Sequence, residues 1–356
     1  SIDQNIFFIV SGKANLFHEK IPENFFIIEH TSKLRFSYKR LAQYLIFVFK
    51  NLLIIKKKHK IKNLNYTTPL IALFASICGK LLGIKNRRYR IGGLLFSFEY
   101  RYLSEIFYSI FGYFFELIIL TFSNKYTFVS HSNQSFYKKW YPLSGLSNSR
   151  VIYSPCCEIL KKESLELYKD SSDFFDYVSN DSRNIIITLV NSKSRKGSQI
   201  FYELSNLMRN NDQYLFVHVG ARGIEKPFFK STNLLIVPHI NYINRWIKKA
   251  KLSVLFSTYP EGLPQVIPQS LSLNTPVLSF PTVGTRDCII HEFNGYIIKS
   301  TSSIEDIKEI INNHFLNKKT IEITNNTSLC SDFFKQRHSI GNLEENIKKL
   351  IKEGFI

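Results

Sequence analysis

Several features are missing from this chain of 356 residues, and each absence removes a class of protein. The five cysteines (Cys78, Cys156, Cys157, Cys288 and Cys330) are odd in number and irregular in spacing, with no CxxC pair. That excludes a disulfide scaffold or a cysteine-built metal site and fits reduced, buried thiols of a cytosolic protein. There is no GxxxxGK[ST] phosphate loop and no GxGxxG dinucleotide turn. No DxD-type metal motif stands out. The spaced aspartates of "DSSDFFD", Asp170 to Asp176, fall in a stretch read as a linker. Internal repeats and low-complexity tracts are absent, and Ser1 to Val10 lacks the basic start of a secretory signal. Two apolar stretches fall short of a clean membrane span. Leu41 to Lys60 is broken by Lys50-Asn51, and Ile106 to Phe122 contains Glu116, so both read as interfacial or core amphipathic helices.

What is present is a well-supplied core and an uneven charge. Hydrophobic residues make up 44% of the chain, against disorder, and the formal net charge is +19. Residues 1–150 carry 22 Lys and Arg against 7 Asp and Glu, and the remainder carries 25 against 21. A basic, apolar N-terminal half points to an anionic membrane surface at least as much as to nucleic acid, for which no motif is found. The plainer reading is a bias toward Lys, Asn, Ile and Phe running through the whole chain.

Periodicity is clearest after residue 183. "NIIITLV", "YLFVHVG", "LLIVPHI" and "LSVLFST" are continuous apolar runs of the kind buried parallel strands show, and helical patterns such as "SQIFYELSNLMRN" and "NRWIKKA" alternate with them. The chain closes on two further helical patterns, Ser303 to Phe315 and Leu343 to Phe355. In the N-terminal half "NIFFIVSG", "NFFIIEH" and "YTFVSHS" (Tyr126 to Ser132) read as strands. "SYKRLAQYLIFVFKNLL", "PLIALFASICGKLLG" and "LSEIFYSIFGYFFELII" read as helices. The predicted class is α/β, with two Rossmann-like, doubly wound domains facing across a cleft. The expected divisions are residues 1–155, a linker at 156–183 with little periodic pattern, 184–330, and a C-terminal helix at 331–356 that packs back on the first domain.

Two loops could carry chemistry. After "NIIITLV" comes the basic turn "NSKSRKG", where Lys193, Arg195 and Lys196 precede Gly197 and a helix. Helix-start amides and nearby cations suit a diphosphate, although a solvated basic turn has the same composition. After "SVLFST" comes "YPEGLPQVIPQ". Gly262 permits close backbone approach, Glu261 can accept hydrogen bonds from hydroxyls, and Gln269 lies eight residues on, which would be one face of a single helix. A surface helix would account for the Glu and Gln equally well. The lone histidines His131, His218, His239 and His291 read as structural.

Taken in order, these features resemble the GT-B glycosyltransferases of family 4, the group 1 type. Their C-terminal domain carries a basic loop ending in Lys-Gly, a strand ending in Gly, and "PSxxEGxPxxxxEAxAxGxPVxxxxxGGxxE". Here the last reads "FSTYPEGLPQVIPQSLSLNTPVLSFPTVGTRD", followed by "HEFNGYII". The match is good from Asn184 to about Lys299 and looser before it. It implies that Glu261 binds hydroxyls of the transferred sugar and that Lys196 neutralises the diphosphate. The amides of Gly262 and Leu263, beside Pro264, would cradle the phosphates. Gln269 stands where the family holds ribose hydroxyls with a carboxylate, and Gly220 would lie near the base. Asn191 replaces a common arginine, for which Lys193 or Arg195 could substitute. The implied donor is a nucleotide-diphosphate sugar, with retention and no metal or other cofactor.

On the acceptor side, "RRYRIGG" offers Arg90, Gly92 and Gly93 for phosphate contact, and the family's acceptor-side histidine has no counterpart. The first strands look like the family's second and third, so a first strand, glycine-rich loop and helix are expected to be missing at the N-terminus. The expected activity is sugar transfer to a glycan or lipid-linked acceptor of cell-surface polysaccharide synthesis, at the inner face of the membrane. The alternatives are a GT-B protein of other activity, such as an epimerase, or a non-catalytic basic module that binds membrane or polyanion.

Overall fold

In a computed structural model the described residues are 6–11, 25–30, 38–59, 61–94, 103–142, 144–156, 172–191, 196–240, 243–259, 261–316, 319–353 and 355. They form two compact units. The first comprises Ser1–Ile91, Gly112–Thr127 and Tyr141–Arg150, and the second Gly92–Phe111, Phe128–Trp140 and Val151–Ile356.

The N-terminal elements are β1 (Ile6–Ser11), β2 (Phe25–His30), α1 (Tyr38–His59), β3 (Asn63–Tyr66), α2 (Pro69–Leu81), β4 (Asn86–Ile91), α3 (Leu103–Phe122), β5 (Lys125–Phe128), α4 (His131–Trp140) and β6 (Ser149–Val151). β1 and β2 pair in parallel as a two-stranded sheet, and the order β3-β4-β5-β6 makes a second. In the first unit Tyr44, Val48 and Leu52, one turn apart along α1 as an amphipathic face requires, pack with Cys78 of α2 and with Ile84 after it. Arg87 is part of this framework. It donates to the carbonyls of Phe122 and Ile84, 2.7 Å each, and ties β4 to the end of α3.

The expected strand Tyr126 to Ser132 is shorter than its apolar run suggested. β5 ends at Phe128, and α4 begins at His131. Ser130 stops the strand by capping the helix. Its Oγ accepts from Asn133 N at 3.1 Å, and its carbonyl accepts from Gln134 N at 3.1 Å.

The second unit continues with α5 (Ser172–Ser179), β7 (Asn184–Leu189), α6 (Ser198–Leu207), β8 (Tyr214–Ala221), β9 (Phe228–Ser231), β10 (Leu234–Pro238), α7 (Asn244–Lys249), β11 (Leu252–Leu255), α8 (Val266–Ser272), β12 (Val277–Ser279), β13 (Gly295–Ile297), α9 (Ile304–Leu316), α10 (Lys319–Arg337) and α11 (Ile340–Lys352). Its sheet runs β13-β12-β11-β7-β8-β10-β9, parallel except for the antiparallel edge strand β9. Numbered from β7, the six parallel strands stand in the order 6-5-4-1-2-3, the doubly wound arrangement whose direction of travel reverses between its first and fourth strands, β7 and β11.

Alternate residues of each strand serve opposite faces. Ile186, Phe216, Ile236 and Val254 meet Phe201 and Leu204 of α6 and Ile307 and Ile311 of α9. Ile185, Ile187, Leu215, Val217 and Leu235 meet Val178 of α5 and Trp246 of α7. Both faces are therefore dry, which is why these strands read as unbroken apolar runs.

Besides α4, two helices escaped the sequence reading. Helix α5 lies inside the stretch 156–183 that showed little pattern; its eight residues make about two turns, too short for a period to stand out. Helix α10 is rich in Thr, Asn and Ile, poor helix formers, and its burial of Ile323, Thr327, Ser331 and Phe334 depends on tertiary contacts. Among the described cysteines, all free, Cys78 and Cys288 are buried, but Cys156 and Cys330 are only half-buried, which corrects the expectation of uniform burial.

Candidate functional site

The loops after β7 and β11 carry the two principal sequence candidates, and the fold makes those strands neighbours. The Lys196 ammonium lies 2.8 Å from Oε1 of Glu261, with both side chains mostly shielded. That oxygen makes no hydrogen bond of acceptable angle, so charge rather than directed donation holds the pair. The same ammonium sits 5.2 Å from the centre of the half-exposed Tyr259 ring. An ion pair at the carboxyl ends of the two strands that flank the reversal occupies the position where open α/β sheets bind ligands.

Glycines fix the position of the Glu261 turn. Glu261 forms an antiparallel bridge with Gly93, and the carbonyl of Gly262 accepts from Ser130 Oγ at 2.9 Å. A Cβ on Gly262 would lie 2.5 Å from Asn133 Nδ2, 2.9 Å from Val129 Cγ2 and 3.0 Å from Gly92 O. Gly284 also packs on the turn, where an added Cβ would strike the Gly262 carbonyl and lie 2.6 Å from Leu263 Cα. Leu263 and Pro264 are buried, Leu263 in a core shared with Val129, Ile267 and Phe334. The turn is clamped, and it must be glycine for packing reasons before any ligand is considered.

Helix α8 starts at Val266, after the turn, so Glu261 does not share a helix face with Gln269. The expected pairing at eight residues on one helix is corrected by this boundary. Pro268 sits in the first turn of α8, where its missing N–H costs nothing. Gln269 is half-buried and donates from Nε2 to Asn244 Oδ1 at the start of α7, 2.9 Å away.

Gly197 caps α6 in the left-handed region (φ 80°) and presses on the end of β11, where a Cβ would lie 2.6 Å from Phe256 Cβ. Gly220 is also left-handed (φ 100°), and a Cβ there would lie 3.1 Å from Val190 O. His218 bridges the same carbonyl, Nε2 to Val190 O at 2.8 Å, and the Tyr202 hydroxyl at 2.5 Å. Burial lowers its pKa, and these bonds give it a structural role. His291 is likewise used by the backbone, its Nδ1 accepting from Ile297 N at 3.0 Å. Lys193 and Arg195 lie outside the described residues. Of the acceptor-side candidates, Arg90 is a half-buried residue of β4 whose pKa burial lowers, Gly92 is exposed with no atom within 4 Å of a built Cβ, and Gly93 makes the bridge to Glu261.

Sequence reasoning did not single out Asp287. Its carboxylate accepts from Ser132 N at 3.0 Å and also from Ser132 Oγ, so it closes the first turn of α4 from outside. The adjoining 3-10 turn, Val283–Asp287, is held by a reciprocal Thr282–Thr285 capping box. Asp287 and Gly284 occupy the acidic position and the second glycine of the "GGxxE" ending noted above, which was the available signal.

Comparison with known proteins bears on the family and the fold. The family described as "Glycosyl transferases group 1" matches residues 169–328. Over 71 residues, 20% of the chain, the protein is 31% identical to the Vi polysaccharide biosynthesis protein VipC/TviE of Salmonella typhi, of which that stretch is 12%. The chain thus spans a small fraction of that relative's length. Among solved structures, sucrose-phosphate synthase of Thermosynechococcus elongatus superposes with a TM-score of 0.71 at 13% identity, covering 99% of this chain and 89% of that one. HepE of Anabaena, in complex with UDP, gives 0.66 at 16% identity, covering 93% and 87%. A glycosyltransferase of Rickettsia africae gives 0.67 at 14% identity, covering 99% of each. The protein has the α/β fold of the GT-B glycosyltransferases and matches glycosyl transferases group 1 through residues 169–328.

Proposed function

We propose that this protein transfers a sugar from a nucleotide-diphosphate donor to a glycan or lipid-linked acceptor in cell-surface polysaccharide synthesis, at the inner face of the membrane. The observation that carries the reading is the Lys196–Glu261 pair at the carboxyl ends of β7 and β11. Before the donor arrives, each charge neutralises the other. A donor would exchange both partners. Its diphosphate takes the ammonium and its sugar hydroxyls take the carboxylate, so little charge is left uncompensated at any stage. As the glycosidic bond breaks, negative charge grows on the leaving diphosphate, and a cation already in place stabilises it without reorganisation. The amides of the glycine-clamped turn add fixed donors, and Gln269 supplies a neutral partner for a ribose hydroxyl. In this reading the anomeric configuration is retained and no metal ion takes part. HepE, whose structures hold UDP and UDP-glucose, supports a nucleotide-sugar donor, and the Salmonella relative's name supports polysaccharide as the product class.

Thermal unfolding with UDP-, GDP- and ADP-sugars, a chelator present throughout, tests the proposal. One of the three should stabilise the protein, by about 2.7 kcal/mol at a hundredfold excess over its Kd. No response to any nucleotide, together with tight, salt-sensitive binding of a polyanion, would replace the enzyme reading with a basic binding module.

A further inference from the structure

Helix α3 is arranged inside out. Its exposed side chains are Phe107 (76%), Ile110, Phe111 (63%), Phe114 (59%) and Ile118, followed by Thr121 at the rim. At 3.6 residues per turn these positions fall on one arc of about 100°. The opposite arc, which is buried, holds Ser109, Gly112, Glu116, Ile119 and Leu120. A helix on a water-facing surface places its polar groups outward. This one buries a serine and a glutamate and presents three phenylalanines and two isoleucines. Scattered exposed apolar residues are ordinary, but a continuous apolar stripe along about three turns marks an interaction surface.

The chemistry at its border selects the partner. Tyr113, beside the stripe, stacks on Tyr141 with ring centres 4.8 Å apart and 12° between planes. The residues immediately before Tyr141 are Lys138, Lys139 and Trp140, with both lysines exposed and Lys139 Nζ 5.5 Å from the Trp140 ring. Two lysines and a tryptophan next in sequence to the tyrosine that packs on this helix match the composition of an anionic bilayer's border, with cations at phosphate level, indole at the interface and phenylalanine below it. A second copy of the chain is a poorer occupant, because two molecules at +19 each repel. No described helix is long and apolar enough to cross a membrane, so the helix would lie in the plane.

We infer that the exposed face of α3 is an in-plane docking site for an anionic lipid surface. This deepens the membrane part of the function proposed above by naming the surface used, and it does not depend on the donor site.

Flotation with vesicles of equimolar phosphatidylglycerol and phosphatidylcholine, against phosphatidylcholine alone, tests it. The wild type should float with the anionic vesicles and release at high salt. Phe111→Glu/Phe114→Glu should lower the bound fraction roughly tenfold or more, Phe111→Leu/Phe114→Leu should retain it, and Lys138→Glu/Lys139→Glu should weaken it. Leu329→Glu, at an exposed position on α10 rather than α3, should change nothing. Circular dichroism and thermal unfolding of each variant separate lost binding from lost folding. Undiminished flotation of the double glutamate variant overturns the assignment of the face while leaving membrane binding intact. A wild type that floats with neither vesicle overturns both. A wild-type dimer in light scattering that the double variant converts to monomer, without vesicle binding, would give the face to a second copy.

Discussion

Gly284 tests the geometry of the site most directly, because it touches no ligand in the proposed mechanism and still sets where the Glu261 turn stands. Replacing it with alanine adds one methyl group. That carbon would lie 2.6 Å from the Gly262 carbonyl carbon and 2.6 Å from Leu263 Cα, and closer still to the Gly262 oxygen. Ordinary carbon contacts are about 3.5–4.0 Å, so the two backbones must separate by about 1 Å. Every atom struck is backbone, so no side chain can rotate away. The turn is also held by Ser130 Oγ, which bonds the Gly262 carbonyl, and by Val129 and Asn133, which resist the displacement. Overpacking of this kind costs about 1–3 kcal/mol. At roughly 2–4 °C per kcal/mol the thermal midpoint should fall by several degrees. The larger consequence is catalytic. Glu261 and the Gly262 and Leu263 amides move together, and a misplacement of about 1 Å can cost on the order of a hundredfold in turnover. Gly92→Ala is the matched contrast, since its methyl group meets no atom within 4 Å. Its thermal midpoint should not change, so any lost transfer would come from the ligand side. A Gly284→Ala protein with wild-type midpoint and wild-type turnover would refute the claim that this packing positions the turn.

Lys196→Ala and Glu261→Ala should each reduce transfer strongly while the circular dichroism spectrum is kept. Wild-type turnover in either purified variant would remove that residue from the site. Gln269→Glu should be tolerated and should tighten nucleotide binding, because a carboxylate accepts from ribose hydroxyls more strongly than an amide does; weaker binding in a calorimetric titration would count against the ribose role. Stability should also fall in acid for a stated reason. Burial lowers the pKa of His314 and of His338 to about 4, so between about pH 6.5 and 4 the unfolded chain binds protons that the folded one refuses. The loss begins as pH drops below the unfolded value and is complete near pH 4, at about 3 kcal/mol for each histidine. A thermal midpoint that stays flat from pH 7 to 4.5 would exclude this source.

The doubly wound C-terminal sheet was legible because strands dry on both faces leave unbroken apolar runs, as in Asn184 to Val190, and because Gly-bearing turns punctuate them. Lys196 and Glu261 were legible as residue types in a suggestive order, set by the local chemistry of their loops. Their pairing was not, since 65 positions separate them and only the strand order, with β7 beside β11, brings them to 2.8 Å. The role of glycine at 262 and 284 was likewise decided in three dimensions. The sequence shows that the side chains are absent, and the fold shows which backbone would fill the space. Asp287 looks like an ordinary surface acid until α4 is placed with its first turn against it. Periodicity and turn chemistry are local, so the order of residues alone determined the class of fold and the position of the candidate loops. Contact between distant loops, and the burial or exposure of a given helix face, depend on what packs against them, and only the tertiary structure decided those.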